Sequence, residues 1–203
     1  MGYLIIILFS YALGCNNLAL LLAKRKGADL RAGGSGNPGA SNATILLGWK
    51  AGVLVGLHDI LKATAAVLLA KLLFPDLIYG GAAAAIACIL GHIYPAHLRF
   101  RGGKGFASYF GAVLALDWKF AIALGLLIVL VTVLTDYIVA GTMSTIFITP
   151  VYLGIRNHNL ILAALFSIPL AVILWKHWEN LIRICRGTEH GLRSAIRGDN
   201  KLK

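Results

Sequence analysis

Charge is what this chain has least of. Of its 203 residues only 13% are Asp, Glu, Lys or Arg, about half the share of a soluble domain, and only eight are acidic. So few polar groups cannot cover a soluble globule, and a chain that is 59% apolar, with a mean hydropathy of +0.80, is too oily for disorder. Cysteine is also scarce. Cys15, Cys88 and Cys185 are odd in number, far apart and in no CxxC or metal-ligand spacing. They read as three reduced structural thiols, which excludes a disulfide scaffold and leaves no metal site. The nineteen basic residues give a net charge of +11, but aromatics are not interleaved with them, so nucleic acid is excluded as a partner. Anionic lipid and small phosphorylated molecules suit that charge better.

What the chain does have is long apolar runs. The first covers residues 3–23 and is followed by Lys24, Arg25 and Lys26. A secretory signal has the reverse order, with a cleavage site after the apolar part, so this run reads as a retained span. Others cover residues 51–73, 80–98, 104–116, 119–135, 138–155 and 160–176. A crossing takes about 20 residues, so the shorter runs, above all 104–116, need tilt or burial against neighbours. The expected fold is an all-α polytopic membrane protein, a compact bundle of seven transmembrane helices, or five if the short runs do not cross. No internal repeat is visible, and residues 1–203 read as a single domain.

Basic residues collect on alternate connections. Lys24, Arg25, Lys26 and Arg31 follow the first run, and Arg99, Arg101 and Lys104 follow the third. Lys176, Arg183, Arg186, Arg193, Arg197, Lys201 and Lys203 follow the last, so fourteen of nineteen lie on three connections. The positive-inside bias makes those three cytoplasmic, with the N-terminus outside and the C-terminus inside.

Three polar clusters stand on that basic side. The first is Gly33-Gly34-Ser35-Gly36-Asn37-Pro38-Gly39-Ala40-Ser41-Asn42. It is either a flexible turn or an anion-binding concavity of successive amides; flexibility alone has no use for Pro38 or two asparagines. It is no nucleotide loop, since no GK[ST] follows. The second runs from Gly91-His92-Ile93-Tyr94-Pro95 to Phe100-Arg101-Gly102-Gly103-Lys104-Gly105. The positive-inside bias explains its charges but not the glycines around Lys104, which suit a point charge gripping a phosphate. A helix starting after Gly105 would aim its N-terminal amides at the same anion. His92 reads as a helix-end or core histidine rather than a base. The third is His177-Trp178-Glu179-Asn180-Leu181-Ile182-Arg183 with Gly187-Thr188-Glu189. On one helix His177, Asn180 and Arg183 share a face, which serves either a pocket or a solvated juxtamembrane surface. Inside the second run, Asp59 and Lys62 are placed to neutralise each other.

These residues carry a resemblance. GSGNPGASN at 34–42, GHIYP with FRGGKG across 91–105, and HWENLIR with GTE across 177–189 resemble the three cytoplasmic motifs of the bacterial acyl-phosphate:glycerol-3-phosphate acyltransferases, in order, spacing and sidedness. The resemblance implies a seven-helix enzyme of the bacterial inner membrane that needs neither metal nor cofactor. Its active site would lie at the cytoplasmic face. It would work as a monomer on glycerol 3-phosphate and acyl phosphate, among membrane lipids, to make lysophosphatidate. It also implies catalytic roles for Ser35, Lys104, His177, Asn180 and Glu189, and substrate-binding roles for Gly34, Gly36, Asn37, Gly39, Ser41, Asn42, Gly102, Gly103, Thr142 and Arg183. Four positions depart from the pattern: Ile45 stands where the family commonly has an arginine, Val139 and Thr142 where it has serines, and Ser41 where it usually has a threonine. A transporter of a phosphorylated solute would use similar loops, but needs access from both faces and often shows inverted repeats. A non-catalytic lipid-phosphate binder is the other alternative, and Ile45 keeps it open.

Overall fold

The computed structural model describes residues 1–189, Gly191 and Arg193; Arg197, Lys201 and Lys203 of the third basic group lie outside the described residues. The described residues form helices, without strands, and the chain divides into two compact units, Met1–Trp118 and Lys119–Lys203.

In the first unit the opening apolar run is two helices, α1 (Gly2–Gly14) and α2 (Leu18–Arg25). The break falls at Asn17, whose side-chain oxygen accepts from the Leu20 amide at 3.0 Å and so caps α2. A short α3 (Ala40–Leu47) ends at Gly48, whose φ of +93° turns the chain into α4 (Trp49–Leu73). Then come α5 (Gly80–Ile93), a 3-10 turn over Ala96–Leu98, and α6 (Phe106–Leu116). Small residues set the packing. A Cβ at Gly14 would lie 2.1 Å from the Cys88 carbonyl oxygen, one at Gly91 2.2 Å from that of Tyr11, and one at Gly111 2.1 Å from that of Ile60. Helices α1 and α5, and α4 and α6, therefore meet backbone to backbone, the close approach on which helix association in lipid relies. With eleven of its fourteen residues buried, α5 is the centre of this unit.

Its outer faces are oily. On α4, Leu57, Leu61, Leu68 and Leu72 are each at least half exposed, while Asp59 and Lys62 are 3% and 5% exposed. This inside-out distribution suits hydrocarbon, where ionisable groups turn inward and pair. The expected neutralisation is present, with Lys62 Nζ 2.7 Å from Asp59 Oδ1. His92 joins as a third member, its Nδ1 3.3 Å from that oxygen and 2.9 Å from Lys62 Nζ.

The second unit holds α7 (Trp118–Thr135, which begins at the boundary), α8 (Ile138–Arg156), α9 (Leu160–Lys176) and α10 (Trp178–Cys185). Gly141 lets α8 lie on α7, since a Cβ there would be 2.7 Å from the Ile128 carbonyl oxygen, and Gly154 meets Ala163 of α9. The Phe120 and Tyr152 rings stack with centroids 3.6 Å apart. Pro150 and Pro169 sit inside α8 and α9, as membrane helices tolerate.

Among the described residues, Gly2–Arg25, Trp49–Leu73, Gly80–Leu98, Trp118–Thr135 and Ile138–Arg156 are long and apolar enough to cross a bilayer. Leu160–Lys176 with Trp178–Cys185, bent by 53°, makes a sixth if the pair is one span. They coincide with six of the seven apolar runs. The seventh, at 104–116, is helical only over Phe106–Leu116. Eleven residues rise about 16 Å, roughly half of a ~30 Å hydrocarbon core. Replacing Gly14 with valine should push α1 off α5 and destabilise the fold by about 1–3 kcal/mol, as overpacking does. A lowered thermal midpoint of the detergent-solubilised protein is the readout.

Candidate active site

Asn42 organises the first cluster. It is buried at the start of α3, where its Nδ2 donates to the carbonyls of Leu30 (2.7 Å) and Gly33 (3.2 Å), and its Oδ1 accepts from the Ser35 amide (2.8 Å). Gly34 must be glycine twice over: its φ is +60°, and a Cβ would strike Asn42 Oδ1. The Gly36 amide donates to the Gly33 carbonyl and the Gly39 amide to the Asn37 carbonyl. The concavity expected from successive amides is thus narrower than the glycine content suggests, because the amides of Ser35, Gly36 and Gly39 close the loop on itself. The donors it presents are side chains: Ser35 and Ser41 are exposed and Asn37 is half-buried. Asn17 fastens the loop from α2, giving its Nδ2 to the Pro38 carbonyl at 3.1 Å.

The second cluster is laid along the end of α5. The Gly102 and Gly103 amides donate to the carbonyls of Ile93 and His92, each at 3.0 Å. A Cβ would come within 2.1 Å of the His92 carbonyl oxygen at Gly102 and of the His92 Nε2 at Gly103, so these glycines serve close approach rather than freedom of motion. Gly105, at φ +93°, is the N-cap of α6, and the helix expected after it is present. Half-buried Lys104 therefore immediately precedes a helix N-terminus, whose dipole favours an anion. The Arg31 guanidinium donates to the Arg101 carbonyl at 3.2 Å, which sets the first and second loops side by side within Met1–Trp118.

The third cluster lies in the other unit. The expected single stripe is broken: His177 occupies the corner between α9 and α10, and only Asn180 and Arg183 are on α10. His177 donates from Nδ1 to the Ile173 carbonyl at 2.9 Å, which fixes the ring at that corner. Glu189 draws the others together. Its Oε1 accepts from Asn180 Nδ2 at 2.6 Å and its Oε2 from Arg183 Nε at 2.7 Å. Thr142, buried on α8, donates its hydroxyl to the Val139 carbonyl. Ile45 is exposed on α3.

Four participants were not expected: Asn17, Arg31, His92 in contact with the Gly103 loop, and Asp136, which accepts the Arg193 amide at 2.8 Å. Asn17 had its signal in an asparagine pair interrupting an apolar run, Arg31 in the basic group after the first run, and His92 in its place within the second cluster.

The sequence profile of the family described as Glycerol-3-phosphate acyltransferase matches residues 4–187. The chain belongs to that family. A Glycerol-3-phosphate acyltransferase 1 of Oceanobacillus iheyensis is 40% identical to this acyltransferase-family chain, covering 97% of it and 98% of the relative. Among solved structures, the integral membrane glycerol 3-phosphate acyltransferase PlsY (YgiH) in its glycerol 3-phosphate form superposes with a TM-score of 0.89 at 31% identity, covering 96% of this chain and 97% of that one. The lysophosphatidic acid form of PlsY gives 0.85 at 31% identity, covering 94% and 95%. The chain is therefore a multi-pass membrane protein of the PlsY type. Asn42→Ala would strip three backbone groups of their partner and slacken the first loop. It should lower kcat/KM for glycerol 3-phosphate at least tenfold, about 1.4 kcal/mol of transition-state stabilisation, in steady-state kinetics on folded protein.

Proposed function

We propose that this membrane glycerol-3-phosphate acyltransferase takes its fatty acyl group from an acyl phosphate and places it on the 1-hydroxyl of glycerol 3-phosphate. The products are lysophosphatidate and inorganic phosphate. One observation carries the reading beyond family membership: Lys104 stands at the head of α6 on a loop seated beside the Ser35 loop, two polar segments suited to one small phosphomonoester. In this reading Lys104 holds the phosphate, with Gly102, Gly103 and the first loop shaping its seat. Ser35, His177 and Asn180 orient the attacking hydroxyl, and Glu189 and Arg183 fix Asn180. Asn37, Ser41 and Thr142 complete the binding set.

An acyl phosphate is a mixed anhydride, so its carbonyl needs little activation. The hydroxyl oxygen attacks the acyl carbon, the bond from that carbon to the phosphate oxygen breaks, and the departing phosphate takes the hydroxyl proton. No covalent acyl-enzyme is required. Positioning and electrostatics supply the acceleration. Family membership sets aside the transporter reading. The non-catalytic alternative predicts binding without product.

The proposal includes seven crossings, with α6 as the short one, acting as one domain and as a monomer in the bacterial inner membrane. The N-terminus lies outside, and the active site faces the cytoplasm. The bonding of Arg193 to Asp136 agrees with one part of this, that α8 and α9 both cross, because it sets the α7–α8 turn on the side of the C-terminal segment.

Purified protein given acyl phosphate and glycerol 3-phosphate should form lysophosphatidate. Lys104→Ala should raise the KM for glycerol 3-phosphate at least tenfold, and Asn180→Ala should lower kcat by a similar factor. Near-normal turnover at low glycerol phosphate removes that residue from the site. Cys185 is exposed and provides a native probe of sidedness. A membrane-impermeant maleimide, read by peptide mass spectrometry, should label it in inverted vesicles and not in right-side-out ones.

A further inference from the structure

The glycine loop before Lys104 lies over a buried cluster of titratable side chains. His92 is 4% exposed, and the Gly103 Cα lies so close over its ring that a methyl there would come within 2.1 Å of Nε2. On the ring's other nitrogen, Nδ1 sits 3.3 Å from Asp59 Oδ1 and 2.9 Å from Lys62 Nζ, while Lys62 Nζ is 2.7 Å from the same Asp59 oxygen. Lys62 also donates to the Asn16 carbonyl at 2.7 Å, at the break between α1 and α2. His58 Nδ1 approaches the same carboxylate oxygen at 3.5 Å from the partly exposed side.

A helix pair in lipid needs no such cluster to associate, and burying charges carries a desolvation penalty that apolar residues of similar volume avoid. Ionisable groups at that depth accordingly mark function. Here the chain of contacts runs from Asp59 to the His92 ring, from the ring to Gly103, and one residue further to Lys104. We infer that Asp59, Lys62 and His92 are positioning residues that set the height of the 102–104 loop and thereby the enzyme's grip on the phosphate of its acceptor. None of the three touches the substrate. Asp59 holds the imidazole in place, Lys62 balances the charge and ties the cluster to the first span, and the imidazole is the floor beneath Gly103. The inference rests on the reading that Lys104 binds the phosphate of glycerol 3-phosphate.

The test is steady-state kinetics on purified enzyme, with acyl phosphate and glycerol 3-phosphate varied in turn. The double variant Asp59→Asn with Lys62→Met removes both charges together, so no unpaired ion is left buried, yet takes from His92 its anionic partner. It should fold and show a KM for glycerol 3-phosphate raised at least fivefold, with the KM for acyl phosphate within twofold of wild type. His92→Gln keeps a buried polar side chain while removing the ring, and should shift the same constant in the same sense; it carries the readout if the double variant does not accumulate. An unchanged KM for glycerol 3-phosphate in folded variants, or an equal rise for both substrates, overturns the inference, since a merely structural cluster would move neither constant or both. Lys104→Ala, measured alongside, separates the two failures. If it leaves the KM unmoved, the site reading is wrong; if it raises the KM while the cluster variants do not, the positioning role is wrong.

Discussion

Hydrocarbon offers a helix no hydrophobic reason to leave lipid for another helix, so association depends on how closely two backbones approach. In Met1–Trp118 that closeness comes from Gly14, Gly91 and Gly111, each set against the carbonyl of a neighbouring helix. Much follows from it. With α1 drawn against α5, the break at Asn16 and Asn17 comes within reach of α4, and Lys62 can bond the Asn16 carbonyl. The end of α5, where His92 stands, comes up to the carboxylate of Asp59. Added side chain at Gly14 or Gly91 would draw the Asn16 carbonyl and His92 away from the Asp59–Lys62 pair, which α4 closes on its own. The contacts that this pair makes to other helices are therefore a consequence of the close packing.

Glycine does a second and different job in the loops. At Gly34, Gly36 and Gly105 the backbone has positive φ, which side-chain-bearing residues resist. At Gly102 and Gly103 the missing Cβ makes room for His92. Neither use produces a mobile loop. The first is closed on itself by Asn42, and the second is bonded to the last carbonyls of α5. A loop assembled this way is held by its own hydrogen bonds; in the proposed reading, binding energy is then available for orientation rather than for ordering the loop.

The parts of this architecture readable in the chain were those governed by local rules. Apolar runs of 17–23 residues marked the six candidate spans, the i,i+3 spacing of Asp59 and Lys62 gave their pairing, and the glycines around Lys104 announced a special loop and a helix behind it. The rest depended on residues far apart in sequence. Nothing local to Asn42 shows that its amide would serve Leu30, Gly33 and Ser35. Nor does the HWENLIR segment reveal that the chain bends by 53° at His177, which takes that residue off the helix of Asn180 and Arg183. His92 is the helix-end, core histidine expected, but its partners, Asp59 and Lys62, are some thirty residues away and nothing local points to them. Short α3 went unseen because its sequence follows a glycine-rich stretch and is cut off by Gly48 after eight residues.

Glu189 raises an electrostatic question that its setting answers. An acidic side chain in a site for an anionic substrate repels what the site must hold, and the nearer it is to the phosphate the larger that penalty. Both oxygens of this carboxylate are engaged, one by the Asn180 amide and one by the Arg183 guanidinium, and the Arg183 charge cancels it. Arg183 also lies 4.0 Å from the exposed carboxylate of Glu179, so one guanidinium faces two acidic groups, and the Glu189 carboxylate fixes the Asn180 side chain. Arg183 therefore acts within the third motif as the partner of Glu189, an arrangement that orients Asn180.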